Sequence, residues 1–224
     1  MTKLTPNQQD ILVGCLLGDA NLQTSNNGKT WRLRMLQKAA HEGYLFHKYR
    51  VFEDLCSSPP IYGETVDERT GNTYKRWYFN STTSPSLRFL AKKFYTYDQA
   101  QAKWVKKVPP DIGELLTPVG LAYWYMDNGA LKWRGKSNAV RLCTDSFSEQ
   151  DVNLLRNVLK DKFELETSIQ RKDGRPRISI KERSYPKLRE LVLEHLHPNM
   201  YYKFPDGNYG VLEGEDLGLD LEDK

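Results

Sequence analysis

Two segments of the chain end in residues whose types could do chemistry. Asp19 closes the apolar run LVGCLLGDA at residues 12–20, and Asp127 with Asn128 closes LAYWYMDNG at 121–129. A carboxylate gains nothing at the C-terminal end of a helix, where the backbone dipole is already negative. Two such ends side by side repel, so a cation is their natural partner. Magnesium favours carboxylate, water and phosphate oxygens. Metal ions held in this way can activate water and stabilise the leaving oxygen of a phosphodiester. Aligning the two runs at their acidic ends sets Asp19 against Asn128. An Asn carbonyl can ligate a metal but brings no negative charge, so cation affinity should fall; Asp127 could take over through a local shift.

The elements that must position these groups occur twice. Leu4-Thr5-Pro6 opens the first copy and Leu116-Thr117-Pro118 the second. In each, Thr suits the N-cap and Pro the first helical position, where a missing N–H costs nothing. Gln8 completes a capping-box pattern with Thr5. Small residues let two such helices pack backbone to backbone, with Gly14 and Ala122 as the expected pair.

After each apolar run the period changes from helical to alternating. Thr30 to Gln37 puts Trp31, Leu33 and Met35 on one face and Arg32 and Arg34 on the other. Further strands are expected at 74–82, 138–144, 167–172 and 177–181, the last two joined through Asp173-Gly174, a hairpin-turn pair. Helices are expected at about 40–55, 84–95, 148–163 and 184–195. Lys106-Lys107-Val108-Pro109-Pro110 reads as a linker, since paired prolines suit neither a helix interior nor a central strand.

The composition narrows the partners. The net charge of +4 over 224 residues includes residues 213–224, whose six acids and one Lys sum to −5, so residues 1–212 carry +9. A basic body invites a polyanion, and the acidic tail is expected to be disordered and solvating. No apolar run approaches the roughly 20 residues of a membrane span. The N-terminus shows no signal-peptide core, so an intracellular protein is expected, with organelle, bacterial and phage hosts all open. Cys15, Cys56 and Cys143 form no CxxC pair, which argues against a disulfide scaffold or a zinc cluster. His41, His47, His195 and His197 read as surface or packing residues, and Cys15 as core.

Taken with the LTP starts, Ser58-Pro59-Pro60 and the C-terminal HPNMYYKFP, the two runs resemble the paired signatures of the LAGLIDADG homing endonucleases in their monomeric, two-motif form. The resemblance covers roughly residues 4–205. It implies an α+β fold of two pseudo-symmetric αββαββα halves that join as a DNA-binding saddle of antiparallel sheets. The halves would be residues 1–105 and 116–205, with a linker at 106–115 and the tail at 206–224. It also implies a site-specific endonuclease that hydrolyses double-stranded DNA with Mg2+ or another divalent cation such as Mn2+. Asp19, Asn128, Ala20 and Asp127 are then the metal-holding positions. Lys203 and one of Lys106 or Lys107 would lie near the scissile phosphates, and Gln37 could orient a water. Asn128 would be either a substitution that traps an uncut complex or a natural loss that leaves a nicking or binding-only protein, unless Asp127 replaces it.

Strands can enter the major groove, where every base pair shows a distinct edge. Arg32 and Arg34 share one strand face, as do Arg76, Tyr78 and Asn80. In the second half Gln170 and Lys172 pair in the same way, as do Arg177, Ser179 and Lys181. Two unlike halves in a monomer would read a long asymmetric site, whereas a homodimer is tied to a pseudo-palindrome. The alternative functions on this scaffold are an intron-RNA splicing maturase and a DNA-binding regulator.

Overall fold

The computed structural model of the chain describes residues 3–205, so the acidic tail lies outside the described residues. Helix α1 (Pro6–Leu17) starts at Thr5, whose Oγ1 accepts from the Gln8 N–H at 3.1 Å while the Gln8 side chain accepts from the Thr5 N–H at 2.9 Å. Helix α5 (Pro118–Asn128) starts at Thr117, whose Oγ1 accepts from the Gly120 N–H at 3.2 Å. Both helices are apolar nearly all round, as helices buried on every side must be. Ile11 to Leu17 and Leu121 to Met126 are all buried.

The two helices pack on each other, and glycine permits it. A Cβ on Gly14 would lie 2.0 Å from the carbonyl oxygen of Gly120. The partner of Gly14 is therefore Gly120 and not Ala122. Two residues further along an α-helix lie about 200° around its axis, so Ala122 turns away from this contact and fills the core instead.

Each helix leads into a four-stranded antiparallel sheet. The first contains β1 (Asn21–Gln23), β2 (Arg32–Lys38), β3 (Ile61–Val66) and β4 (Thr73–Asn80) in the order β1-β2-β4-β3, with α2 (Glu42–Phe52) and α3 (Pro85–Phe94) in the same half. The second contains β7 (Gly129–Leu131), β8 (Val140–Leu142), β9 (Thr167–Lys172) and β10 (Arg175–Ile180) in the order β7-β8-β10-β9, with α6 (Glu149–Phe163) and α7 (Tyr185–Val192). Chain order and strand order thus repeat. The hairpin of β5 (Tyr95–Asp98) and β6 (Lys103–Lys106) has no counterpart among the described residues of the second half. Residues 106–115, read as a linker, begin inside β6 and end in the short helix α4 (Ile112–Leu115).

Local chemistry explains most of these elements. In β2, Leu33 and Met35 are buried and Arg32 is exposed, as the alternation requires. Between β9 and β10, Asp173 and Gly174 both have positive φ, 50° and 76°, the conformation a tight two-residue hairpin demands. The strands not expected from the sequence are β1, β3, β5, β6 and β7. β1 and β7 have only three residues and β3 is largely exposed, so these three show no apolar alternation, while β5 and β6 are four residues each. Among the described residues no helix is long and apolar enough to cross a membrane, and all three cysteines are free.

Candidate active site

The C-terminal ends of α1 and α5 meet at a cavity of about 390 Å³ lined by Asp19, Asp127, Asn128, Gly129, Cys143, Asp145 and Ser146. Gly18 caps α1 and leaves room for the neighbouring acid, since a Cβ there would lie 2.5 Å from Asp127 Cβ. The Asp19 N–H donates to Asp127 Oδ2 at 3.3 Å. Gln37, buried at the end of β2, donates its Nε2 to Asp19 Oδ2 at 3.1 Å and to Asp127 Oδ1 at 3.4 Å.

The two acids are in different situations. Asp127 points inward: its Oδ1 accepts from Tyr44 Oη at 3.0 Å and from Lys48 Nζ at 2.9 Å, and its side chain is fully buried. Burial, the largest single effect, would lower the Lys48 pKa, but the nearby anionic groups, Asp127 foremost with Cys15 and Asp19 adding to it, together outweigh burial and the net shift is upward. The pair is thus a closed internal ion pair. Asp19 faces the cavity mouth. The protein packed about its carboxyl, and next the Asp127 charge, push its pKa up to about 6. Solvent at the mouth moderates the first of these effects; the repulsion from Asp127 persists. Asn128 donates its Nδ2 to the Cys143 carbonyl at 2.7 Å, which turns its Oδ1 away from that oxygen.

Two lysines complete the centre in quasi-symmetric fashion. Lys106 Nζ donates to the Ala20 carbonyl at 2.7 Å and Lys203 Nζ to the carbonyls of Met126 and Asp127 at 2.6 and 2.8 Å. Each ammonium satisfies carbonyls at or just beyond a helix end. Burial lowers both pKa values, that of Lys106 to about 8. Of the two lysines in the 106–115 segment, Lys106 is the one that reaches the end of α1. Lys107 follows β6, and strand alternation points its side chain the other way. The Ala20 carbonyl, one of the expected metal-holding positions, is occupied by Lys106.

The histidines take no part in this centre. His47 Nε2 lies 2.6 Å from Tyr123 Oη, His197 packs on His47 with ring centres 5.2 Å apart, and His41 stacks on Tyr202. His195 sits 3.3 Å from Glu194. Burial pushes His41 and His197 down to about 4, which keeps both neutral at pH 7.

The sequence profile of the LAGLIDADG DNA endonuclease family matches residues 9–188, which include both helix ends. The chain belongs to this family. It is 47% identical over 216 residues to the DNA endonuclease I-ChuI of Chlamydomonas applanata, across 93% of this chain and 99% of the relative. It is 26% identical to the cytochrome b mRNA maturase bI2 of Saccharomyces cerevisiae, across 92% of this chain and 48% of that protein. Among solved structures, the homing endonuclease I-WcaI bound to its DNA recognition sequence superposes with a TM-score of 0.82. That match has 28% identity and covers 91% of this chain and 88% of the other.

In this LAGLIDADG protein the residues expected to read DNA fall on the sheet faces opposite the helices. Arg34 pairs with Asn80 and Lys38 with Arg76 across β2 and β4, so Arg32, Arg34, Arg76, Tyr78 and Asn80 share one face. Across β9 and β10, Arg177 pairs with Gln170 and Arg175 with Lys172. Three members already have partners or are covered. Ser179, only 2% exposed, lies between Arg141 and Ser168 in the register. Arg177 is held by Asp145 at 2.8 and 2.9 Å. Lys181 lies 3.4 Å from Glu166.

Sequence reasoning missed Tyr44, Lys48 and Asp145. A signal for Lys48 existed. Tyr44, Leu45, Lys48 and Phe52 share the buried face of α2, and a lysine on such a face needs a buried acid. No comparable signal marked Asp145.

Proposed function

We propose that this chain is a site-specific homing endonuclease that binds a long asymmetric DNA duplex as a monomer and hydrolyses its phosphodiesters. The observation that carries this reading is the repeat at the two helix ends: Asp19 and Asn128 line one cavity, and beside each a lysine donates to backbone carbonyls, Lys106 to Ala20 and Lys203 to Met126 and Asp127. Both relatives named as endonucleases align across most of this chain.

The donor set fits a hard divalent cation, magnesium or manganese. The Asp19 carboxylate and the Asn128 carbonyl offer oxygens, while Asp127 is committed to Lys48. Among the described residues no group of three or more His, Cys, Asp or Glu forms a cage, which suits an ion that takes its remaining ligands from phosphate and water. When bound, such an ion supplies Lewis acidity and an acidified water. Gln37 holds the Asp19 carboxylate in place. Lys106 and Lys203 stand ready to donate hydrogen bonds to a phosphate oxygen as charge develops. Asn128 lowers the cation affinity of the second half relative to the first.

The test is a cleavage selection on a randomised duplex library with magnesium, with the Asn128→Asp variant alongside. Recovery of one long asymmetric site supports the proposal. Failure of both proteins to select any duplex overturns it. A second reading, a maturase that binds intron RNA, is favoured by the resemblance to the bI2 protein and by Asn128, since RNA binding needs no second acid. Binding to a structured intron RNA at least as tight as to any duplex, at matched salt, would establish it instead.

A further inference from the structure

Three neighbouring cross-strand rows occupy the middle of the outer face of the first sheet, between Gln23–Arg32 at one end and Thr65–Tyr74 at the other. Asn21, Arg34 and Asn80 form one; Leu36, Tyr78 and Ile61 the next; Lys38, Arg76 and Gly63 the third. The middle row is apolar between two polar or basic rows, and the other large ring on this face, Tyr74, stands beyond the Arg76 row opposite Thr65. The middle row lies opposite Leu33, Met35 and Phe79, which are buried in the core. Ile61 is 47% exposed. The guanidinium of Arg34 lies over the Tyr78 ring, 4.6 Å from its centre, and a Cβ on Gly63 would come within 3.5 Å of that ring. Arg34 thus stacks on one face of the ring, and Gly63, with no side chain, leaves the ring edge on that side open.

We propose that the Leu36–Tyr78–Ile61 row recognises thymine methyl groups in the major groove, so that the half-site under the first sheet depends on thymine. The inference rests on the duplex-DNA reading above. Apolar side chains on a groove-reading sheet have one specific target among the base edges, the 5-methyl of thymine. Rows two residues apart along a strand are separated by about 6.8 Å, or two base-pair steps of about 3.4 Å. The flanking Arg34 and Arg76 rows then fall where guanine edges and phosphates can be met. Those same cations complement DNA and repel a second copy of this surface.

The second sheet lacks such a strip. Its outer face presents Arg141, Ser179 and Ser168 in one row, then Arg177 with Gln170, then Arg175 with Lys172, and its largest apolar member there is Ala130. Thymine dependence is thus expected in one half of the target only.

The experiment repeats the duplex selection with libraries amplified with thymidine or with deoxyuridine triphosphate, the latter lacking the methyl group. The expected result is a thymine preference at one or two positions of a single half-site. Those positions lose about fourfold in enrichment per methyl with uracil, while the rest of the site is kept. Ile61→Ser, at an exposed position of β3, should lose the same preference with the thymine library. A site recovered equally from both libraries, or a pattern unchanged by Ile61→Ser, overturns the inference and leaves the endonuclease reading intact. No recovered duplex from either library overturns that reading and the inference with it.

Discussion

Gly14 and Gly120 face each other across the α1–α5 seam with no room for a side chain, since a Cβ on Gly14 would reach within 2.0 Å of the Gly120 carbonyl oxygen. Both neighbours are backbone, so neither can swing aside. This contact brings the two helices together, and their C-terminal ends then share one cavity.

Gly14→Ala should therefore destabilise the fold. Alanine favours a helix over glycine by about 1 kcal/mol, but overpacking against backbone costs about 1–3 kcal/mol and at times more. The expected drop in Tm is about 2–4 °C for each kcal/mol lost. Gly120→Ala should cost less, because its nearest contact is at 3.0 Å. Thermal melts of the two variants decide the matter: a Gly14→Ala protein as stable as the parent refutes the close approach.

Lys48→Met should be strongly destabilising. It leaves the Asp127 carboxylate buried without a cation, an imbalance worth about 3–5 kcal/mol. The double variant with Asp127→Asn removes both charges and should recover most of that loss. Denaturant titration of the single and double variants measures the coupling; additive effects would show that the 2.9 Å pair contributes nothing.

Asn128→Asp should restore or increase divalent-dependent cleavage. It creates a second acid in register with Asp19 without touching the Asp127–Lys48 pair. Asp19→Asn should remove any nicking that the parent shows. Nicking that survives Asp19→Asn, or an Asn128→Asp protein that binds its duplex with metal yet cuts neither strand, would move the chemistry elsewhere.

The Asp19 carboxyl, raised to about 6 from its ordinary 3.8, sets a pH window. In the metal-free protein the folded state binds this proton more tightly than the unfolded chain. Stability from this group is therefore full below about pH 4 and is lost as pH rises to about 6. A divalent cation at Asp19 reverses the preference and releases the proton. Stabilisation by manganese, followed as a Tm shift, should thus grow between about pH 5 and 7, and Asp19→Asn should flatten the profile. A profile unaffected by Asp19→Asn would place the ion on other ligands.

The sequence by itself determined what depends on near neighbours. Thr5 with Gln8 and Thr117 with Pro118 mark where the buried helices start, because caps act within one turn. The alternation through Leu33 and Met35 assigns β2 and its outward arginines, and Asp173-Gly174 assigns its hairpin, because both are properties of consecutive residues. The family signature and the acids that end it are equally local. Tertiary structure decided everything that requires a partner far along the chain. Asp127 turns inward because Lys48, 79 residues away, waits on the buried face of α2. Lys106 rather than Lys107 reaches the Ala20 carbonyl because the pairing of β5 with β6 sets its facing. Gly14 opposes Gly120 instead of Ala122, and Ser179 is covered, for the same physical reason. Periodicity states which side of an element is apolar, but only the packing of one element on another decides which residues touch.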